Sequence, residues 1–247
     1  MAAVKLLLDT DNVDTEARDA CGQTPLLWAA SGGHDAIVKL LLQTEKVDVN
    51  SKDVSNWTPL LCAASRGHES IVKLLLESDG VDVNEKNDKS QTALMRAAEE
   101  GYTAIVKMLL NANAAELDCK DAWDQSSLLL AAANGHEAVV KMLLDTRKVD
   151  IHSKDKFGRT PLAWASMKGH KAAVQLLLNI DAAELDRKDE WDQNPLRLAV
   201  VNGHEAVVKM FLDTGKINIH FKDKFGRKLL DLASNGGHKA IVQLLGK

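Results

Sequence analysis

Aromatic residues are scarce in this chain, at 4% of 247 positions, and there are only four prolines and three cysteines. So few rings cannot fill a large central core, so packing has to come from alanine and branched aliphatic side chains. Basic charge is not in excess either. The formal net charge of −4 gives no electropositive field for phosphate backbones, which excludes a nucleic-acid partner. Cys21, Cys62 and Cys119 are too far apart to form a redox pair or a metal-binding spacing. The expected compartment is therefore reducing, cytoplasmic or nuclear. No apolar run approaches the ~20 residues that cross a bilayer. The apolar stretch at the start is interrupted at Lys5 and is too short for a secretory signal.

What the chain has in quantity is repetition. Thr24-Pro25-Leu26-Leu27-Trp28-Ala29-Ala30-Ser31-Gly32-Gly33-His34 returns 34 residues later as Thr58-Pro59-Leu60-Leu61-Cys62-Ala63-Ala64-Ser65-Arg66-Gly67-His68. Glycine keeps that register at Gly33, Gly67, Gly101, Gly135, Gly169, Gly203 and Gly237. A fixed period of this size means stacked repeats that bury their apolar faces only against one another.

Each repeat predicts two helices and a projecting loop. Thr24 is an N-cap type, and Pro25 suits the first helical position, where its missing N–H costs nothing. Leu26, Ala29 and Ala30 form one apolar stripe of a short helix, which Gly33 ends. A second helix follows over Asp35 to Leu42, with Ile37, Val38, Leu41 and Leu42 inward and Lys39 outward. The alternation in Val47-Asp48-Val49-Asn50 then predicts the arm of a small β-hairpin.

With these motifs in place the chain resembles the ankyrin-repeat family. The T-P-L-x-x-A-A-x-x-G-H signature stands at Thr24 to His34, at Thr58 to His68 and, slightly altered, at Thr160 to His170. The D-V-N…D loop signature stands at Asp48-Val49-Asn50…Asp53 and again at Asp82-Val83-Asn84…Asn87. The chain departs from the family in two ways. Its period exceeds the usual one of about 33 by one residue, inserted between the second helix and the hairpin. The histidine that usually follows T-P-L is replaced by Leu27, Leu61, Met95, Leu129, Ala163, Arg197 and Asp231, so its inter-repeat hydrogen bond is not expected. The resemblance implies an all-α repeat solenoid, an ankyrin-like stack of helix-turn-helix units with short β-hairpin loops. Residues 1–247 then read as a single array, with a leading half repeat over 1–18 and seven repeats starting at about 19, 53, 87, 121, 155, 189 and 223.

Met1 to Leu8 aligns with Asp35 to Leu42, so the chain opens on a second helix, and it closes as abruptly at Ile241 to Lys247. Neither end reads as a polar capping repeat. The expectation is an excised piece of a longer protein, with self-association through uncapped ends as the other reading. Residues 114–179 and 182–247 also match at an offset of 68: Trp123-Asp124-Gln125 recurs as Trp191-Asp192-Gln193, and Lys156-Phe157-Gly158-Arg159 as Lys224-Phe225-Gly226-Arg227. The C-terminal half is a duplicated two-repeat block.

Stacking leaves the hairpin tips and the outer stripe of each first helix free for a partner. The tip residues run Cys21, Ser55, Lys89, Trp123, Phe157, Trp191 and Phe225, so four consecutive tips carry an aromatic. Helix packing would space them by ~8–10 Å. Rings left in water are common interface anchors, although each could instead lie flat on the next hairpin. The helix stripe contributes Trp28, Arg66, Arg96, Glu99, Glu100 and Trp164. The predicted contact set is Trp57, Arg96, Trp123, Asp124, Phe157, Arg159, Trp164, Trp191 and Phe225, with Arg96 and Arg159 set to orient acidic groups.

His34, His68, His136, His170, His204 and His238 all follow the helix-ending glycine, so they are copies of one structural position. Repeats stand too far apart for three of them to meet one zinc ion at ~2 Å. His152 and His220 take the loop slot of Asn50 and Asn84. No nucleophile–base set, phosphate-binding glycine loop or metal spacing emerges, so neither cofactor nor catalysis is expected. The resemblance implies a non-catalytic module that binds a partner protein through its concave groove and aromatic tips. The alternative is a small-molecule groove walled by Trp123 and Trp164, with Glu99, Glu100 and Asp124 as acid–base groups.

Overall fold

Threonine, serine or asparagine begins six of the seven first helices, and the reason is visible at each N-terminus. The computed structural model describes Leu6 and residues 13–44, 46–112, 115–181, 185–220, 222 and 226–246. Thr24, Thr58, Thr92, Ser126, Thr160 and Asn194 each accept a hydrogen bond from the backbone N–H three residues on, at 2.9 to 3.3 Å. Each such cap is worth about 1 kcal/mol. At the seventh start, Lys228 cannot accept, and the carboxylate of Asp231 instead takes the Lys228 backbone N–H at 2.9 Å.

The chain divides into two compact units, Met1–Ala122 and Trp123–Lys247. The first holds α1 (Pro25–Ser31), α2 (Asp35–Leu42), α3 (Pro59–Ser65), α4 (Glu69–Leu76), α5 (Ala93–Glu100) and α6 (Thr103–Asn111). In it α1, α3 and α5 pack in one row and α2, α4 and α6 in another. The second holds α7 (Ser127–Ala133), α8 (Glu137–Asp145), α9 (Pro161–Lys168), α10 (Lys171–Ile180), α11 (Pro195–Val201), α12 (Glu205–Asp213), α13 (Leu229–Asn235) and α14 (Lys239–Leu245). Its odd-numbered helices form one row and its even-numbered helices the other.

Helices of seven to ten residues are too short to persist in water. Burial against neighbouring repeats holds them. Leu26, Leu27, Ala29 and Ala30 of α1 are buried, as are Ile71, Val72 and Leu75 of α4. Each fully buried Leu or Ile contributes ~1.5–3 kcal/mol. Alanine at the helix contacts lets backbones approach, which is why few rings suffice; Phe211 in α12 is fully buried.

The histidine series closes each repeat on the one before. The ring N–H of His204 donates to the Met167 carbonyl at 2.8 Å, and that of His170 to the Ala133 carbonyl at 3.1 Å. His68 reaches the Ser31 carbonyl at 3.2 Å in the same way. These bonds satisfy carbonyls that a helix end leaves open. The same rings explain the glycine in front of them. Gly169 has φ +78°, and a Cβ there would stand 2.4 Å from Nδ1 of His204.

The loops turn back as hairpins but form no strand among the described residues, only an isolated antiparallel bridge between Lys222 and Lys228. The first residue of each turn takes over the bonds a strand would need. Oδ1 of Asp53 accepts the N–H groups of Ser55 and Trp57, both at 2.9 Å, and Asp155 does the same for Phe157 and Arg159. A carboxylate that occupies two amides in its own turn leaves little backbone to pair. The arm expected at Val47 to Asn50 is likewise a turn, with the Asp48 carboxylate accepting the Asn50 N–H at 2.9 Å.

Successive hairpins are joined by single backbone bonds. Val54 donates to Cys21 at 3.1 Å and Asp88 to Ser55 at 3.0 Å in the first unit. Lys156 donates to Trp123 at 3.0 Å and Glu190 to Phe157 at 3.1 Å in the second. Hydroxyls tie the helix start to the loop that closes the same repeat: Thr24 pairs with Ser51 and Ser126 with Ser153, each at 3.0 Å. Among the described residues no helix is long and apolar enough to cross a membrane.

Candidate functional site at the hairpin tips and first-helix face

In residues 123–247 the tips draw together around one cation. Asp155 opens its turn and also accepts the indole N–H of Trp164, on the helix just beyond, at 2.7 Å. That bond fixes the Trp164 ring beside Arg159. The next hairpin brings Asp189, whose side chain is fully buried, and its Oδ2 accepts from Nε of Arg159 at 3.3 Å. The guanidinium lies 5.0 Å from the ring centre of Trp191, 5.3 Å from Trp164 and 5.9 Å from Phe157. Phe157 and Trp191 meet with centroids 5.5 Å apart, closer than the helix spacing, because both rings lean onto the cation between them. Each stays about two-fifths exposed, Phe157 at 41% and Trp191 at 41%.

The other predicted residues of this unit sit apart from that cluster in role. Trp123 is 43% exposed, and its carbonyl receives the Lys156 N–H. Asp124 has φ +60°, as does Asp192 at +62°, at the turn position that Gly158 fills elsewhere with +73°. An aspartate is used there because short polar side chains tolerate the left-handed region. Phe225 lies outside the described residues. The His152 ring reaches the Asp181 carboxylate at 3.5 Å, a contact the Asn50 slot does not make. Asn50 instead holds the Gly80 carbonyl at 2.7 Å and the Asp82 N–H at 2.9 Å.

In residues 1–122 the corresponding place is open. A pocket of about 360 Å³ is lined by Gln23, Asp53, Trp57, Cys62, Arg66 and Arg96, with two serines completing it. Trp57 is half-buried. Arg96 pairs with Glu99 and, at 3.2 Å, with Glu100, and its buried Nε has no partner. Arg66 turns its Nη1 onto the Ser31 carbonyl at 2.7 Å and onto the Ser31 hydroxyl. Burial pushes the Cys62 thiol up to about 12, with Asp53 adding to the shift and Arg66 opposing it. Burial also raises Cys119, helped by its hydrogen bond to Glu116. Cys21 is exposed at its tip.

Trp28 lies outside the predicted contact set, yet at 58% its indole is the most exposed of the five. Its N–H donates to Asp19 at 3.0 Å. The backbone N–H of Gln23, then the Trp28 indole and the Cys21 N–H, hold the Asp19 carboxyl below the usual carboxylate range against desolvation, which ranks second among the causes and opposes them. The signal was present in the sequence: Trp28 and Trp164 occupy the same position of their repeats. Asp189 was legible as an acidic tip able to pair with a basic neighbour such as Arg159; the hold of Asp155 on Trp164 was not.

A second hollow, of about 610 Å³, lies on the other helix row between α10 and α12, lined in part by Lys171, Lys209, Lys216, Leu178 and Met210. It shares no residue with the tips.

No curated protein matches the chain. A family model described as ankyrin repeats, three copies to a match, fits residues 1–87, 45–121, 94–189 and 128–220. Capped helix pairs stacked in two rows, projecting carboxylate-headed hairpins and that match carry one conclusion: this chain belongs to the ankyrin-repeat family.

Proposed function

We propose that the chain is a non-catalytic recognition module, in a cytoplasmic setting, that takes a partner protein on the face shared by its first helices and aromatic hairpin tips. Ankyrin repeats are generally protein–protein interaction modules, and the 34-residue register supports reading 1–247 as one array. The observation that carries the reading is the rings at Trp123, Phe157 and Trp191, each left about two-fifths exposed on consecutive tips. Partly exposed aromatics held in fixed orientations bury much area on contact and lose little side-chain freedom. Trp57, Trp164, Asp124 and Phe225 complete the contact set. Arg96 and Arg159 enter it as planar groups already paired with carboxylates, so they add stacking area rather than free charge.

The test is a Trp123→Ala plus Trp191→Ala double variant used against extract of the source cell. Partner capture is lost, while the melting temperature stays within about 5 °C of the parent. A larger fall together with retained capture assigns those rings to packing and ends this reading.

A further inference from the structure

Gln23 and Arg159 occupy the same position of repeats four apart, and so do Asp53 and Asp189, and Trp28 and Trp164. In residues 123–247 these positions form a filled arginine site: Arg159 is bound by the Asp189 carboxylate and flanked by Trp164. In residues 1–122 the carboxylate and the ring are present and the arginine is replaced by a shorter, neutral glutamine. Oδ1 of Asp53 serves its own turn, and Oδ2 accepts no hydrogen bond. Trp28 is pinned by Asp19 as Trp164 is by Asp155, but its ring is left open. Between Gln23 and Asp53 lies the 360 Å³ pocket, with Trp57 as a further wall.

We propose that this pocket receives an arginine side chain of the partner protein, whose guanidinium pairs with Asp53 and stacks on Trp57. The inference rests on the reading that this face takes a partner, and it adds the chemistry of one contact. The two arginines of the lining do not reverse it. Arg96 is held by Glu99 and Glu100, and Arg66 turns its Nη1 onto Ser31, so Asp53 is the lining carboxylate that pairs with no cation among the described residues. A planar guanidinium fits better than an ammonium because it can pair along its edge and stack on its face at once.

The experiment uses the full chain and follows its five indole N–H signals by NMR. The probes are N-acetyl-arginine-methylamide and its lysine and glutamate analogues. The arginine probe shifts Trp57, and the lysine probe binds about tenfold more weakly. Asp53→Asn keeps the acceptor for the turn and weakens the arginine probe about tenfold. Gln23→Arg supplies the guanidinium from within and abolishes probe binding, with the melting temperature held or raised. An unmoved Trp57 signal, tighter binding of the glutamate probe at Trp57, or full binding to Gln23→Arg would each overturn the proposal. Probe binding as described together with unimpaired capture by the Trp123, Trp191 double variant would leave this site standing and remove the aromatic-tip reading; the reverse pattern would do the opposite.

Discussion

The turns at 155–159 and at 19–23 begin alike and end differently. Each opens on an aspartate that ties an indole from the following helix, Trp164 at 2.7 Å and Trp28 at 3.0 Å. At the fifth residue one carries Arg159 and the other Gln23. The arginine spans to the next hairpin, takes up Asp189, and draws Trp164, Phe157 and Trp191 around itself. The glutamine does not, and Trp28 stays 58% exposed. The rings differ as well, with Cys21 and Ser55 where the sealed cleft has Phe157 and Trp191, so the cation and its rings together decide whether the chain closes this cleft itself.

Breaking the sealed version should have the largest effect. Asp189→Ala removes a fully buried carboxylate, two turn bonds and the partner of a cation that is itself only 17% exposed. The expected cost is about 3–4 kcal/mol, most of it from stranding Arg159. Asp53→Ala loses only the bonds to Ser55 and Trp57 and should cost about 1–2 kcal/mol. Urea unfolding followed by circular dichroism measures both, and equal losses would mean that the Arg159–Asp189 pair adds nothing to its turn.

The two tryptophans give the next contrast. Trp164 is half-buried, with Arg159 on one side and Lys168 at 6.0 Å, so Trp164→Ala should cost about 2 kcal/mol. Trp28→Ala removes an exposed ring and one bond to an exposed carboxylate and should cost about 1 kcal/mol or less. A double-mutant cycle on Arg159 and Trp164 isolates the cation–ring part, expected at about 0.5–2 kcal/mol. A coupling of zero would make the 5.3 Å approach incidental to stability.

How far the sequence reaches differs between these layers. The repeat, its caps and its helix pairs were legible because each is a local rule that recurs: glycine after the last turn in all seven repeats, histidine after that glycine in six, threonine before proline in three. The hairpin arms were read as strands because alternation in Val47-Asp48-Val49-Asn50 does not reveal that Asp48 bonds its own backbone. At the site, the exposed rings could be found by position alone. The alternation of acidic and basic tips allowed an ion pair across hairpins such as Arg159 with Asp189; that Phe157, Trp164 and Trp191 close around it was not written in any periodic rule. The pocket at Asp53 was hidden for the converse reason: it exists through what Gln23 lacks.

The smallest effect concerns the open version. Asp19 accepts the N–H groups of Cys21 and Gln23, both at 2.8 Å, and the indole of Trp28. These donors favour the ionised form, so its folded pKa lies below the ordinary 3.8. A carboxyl with a depressed folded pKa contributes stability above its unfolded value and loses it as pH falls through the folded one. The contribution is present at neutral pH and disappears only in acid below 3.8. Because Asp19 is open to solvent, salt should screen the effect and leave the global melting temperature almost unmoved. The sensitive readout is the Trp28 indole N–H signal, whose titration midpoint should lie below pH 3.8. In Asp19→Asn that step should vanish. A midpoint above pH 3.8, or a step kept in the variant, would show that the ring is not held by Asp19. Trp28 would then be a mobile side chain and could not stand in for Trp164.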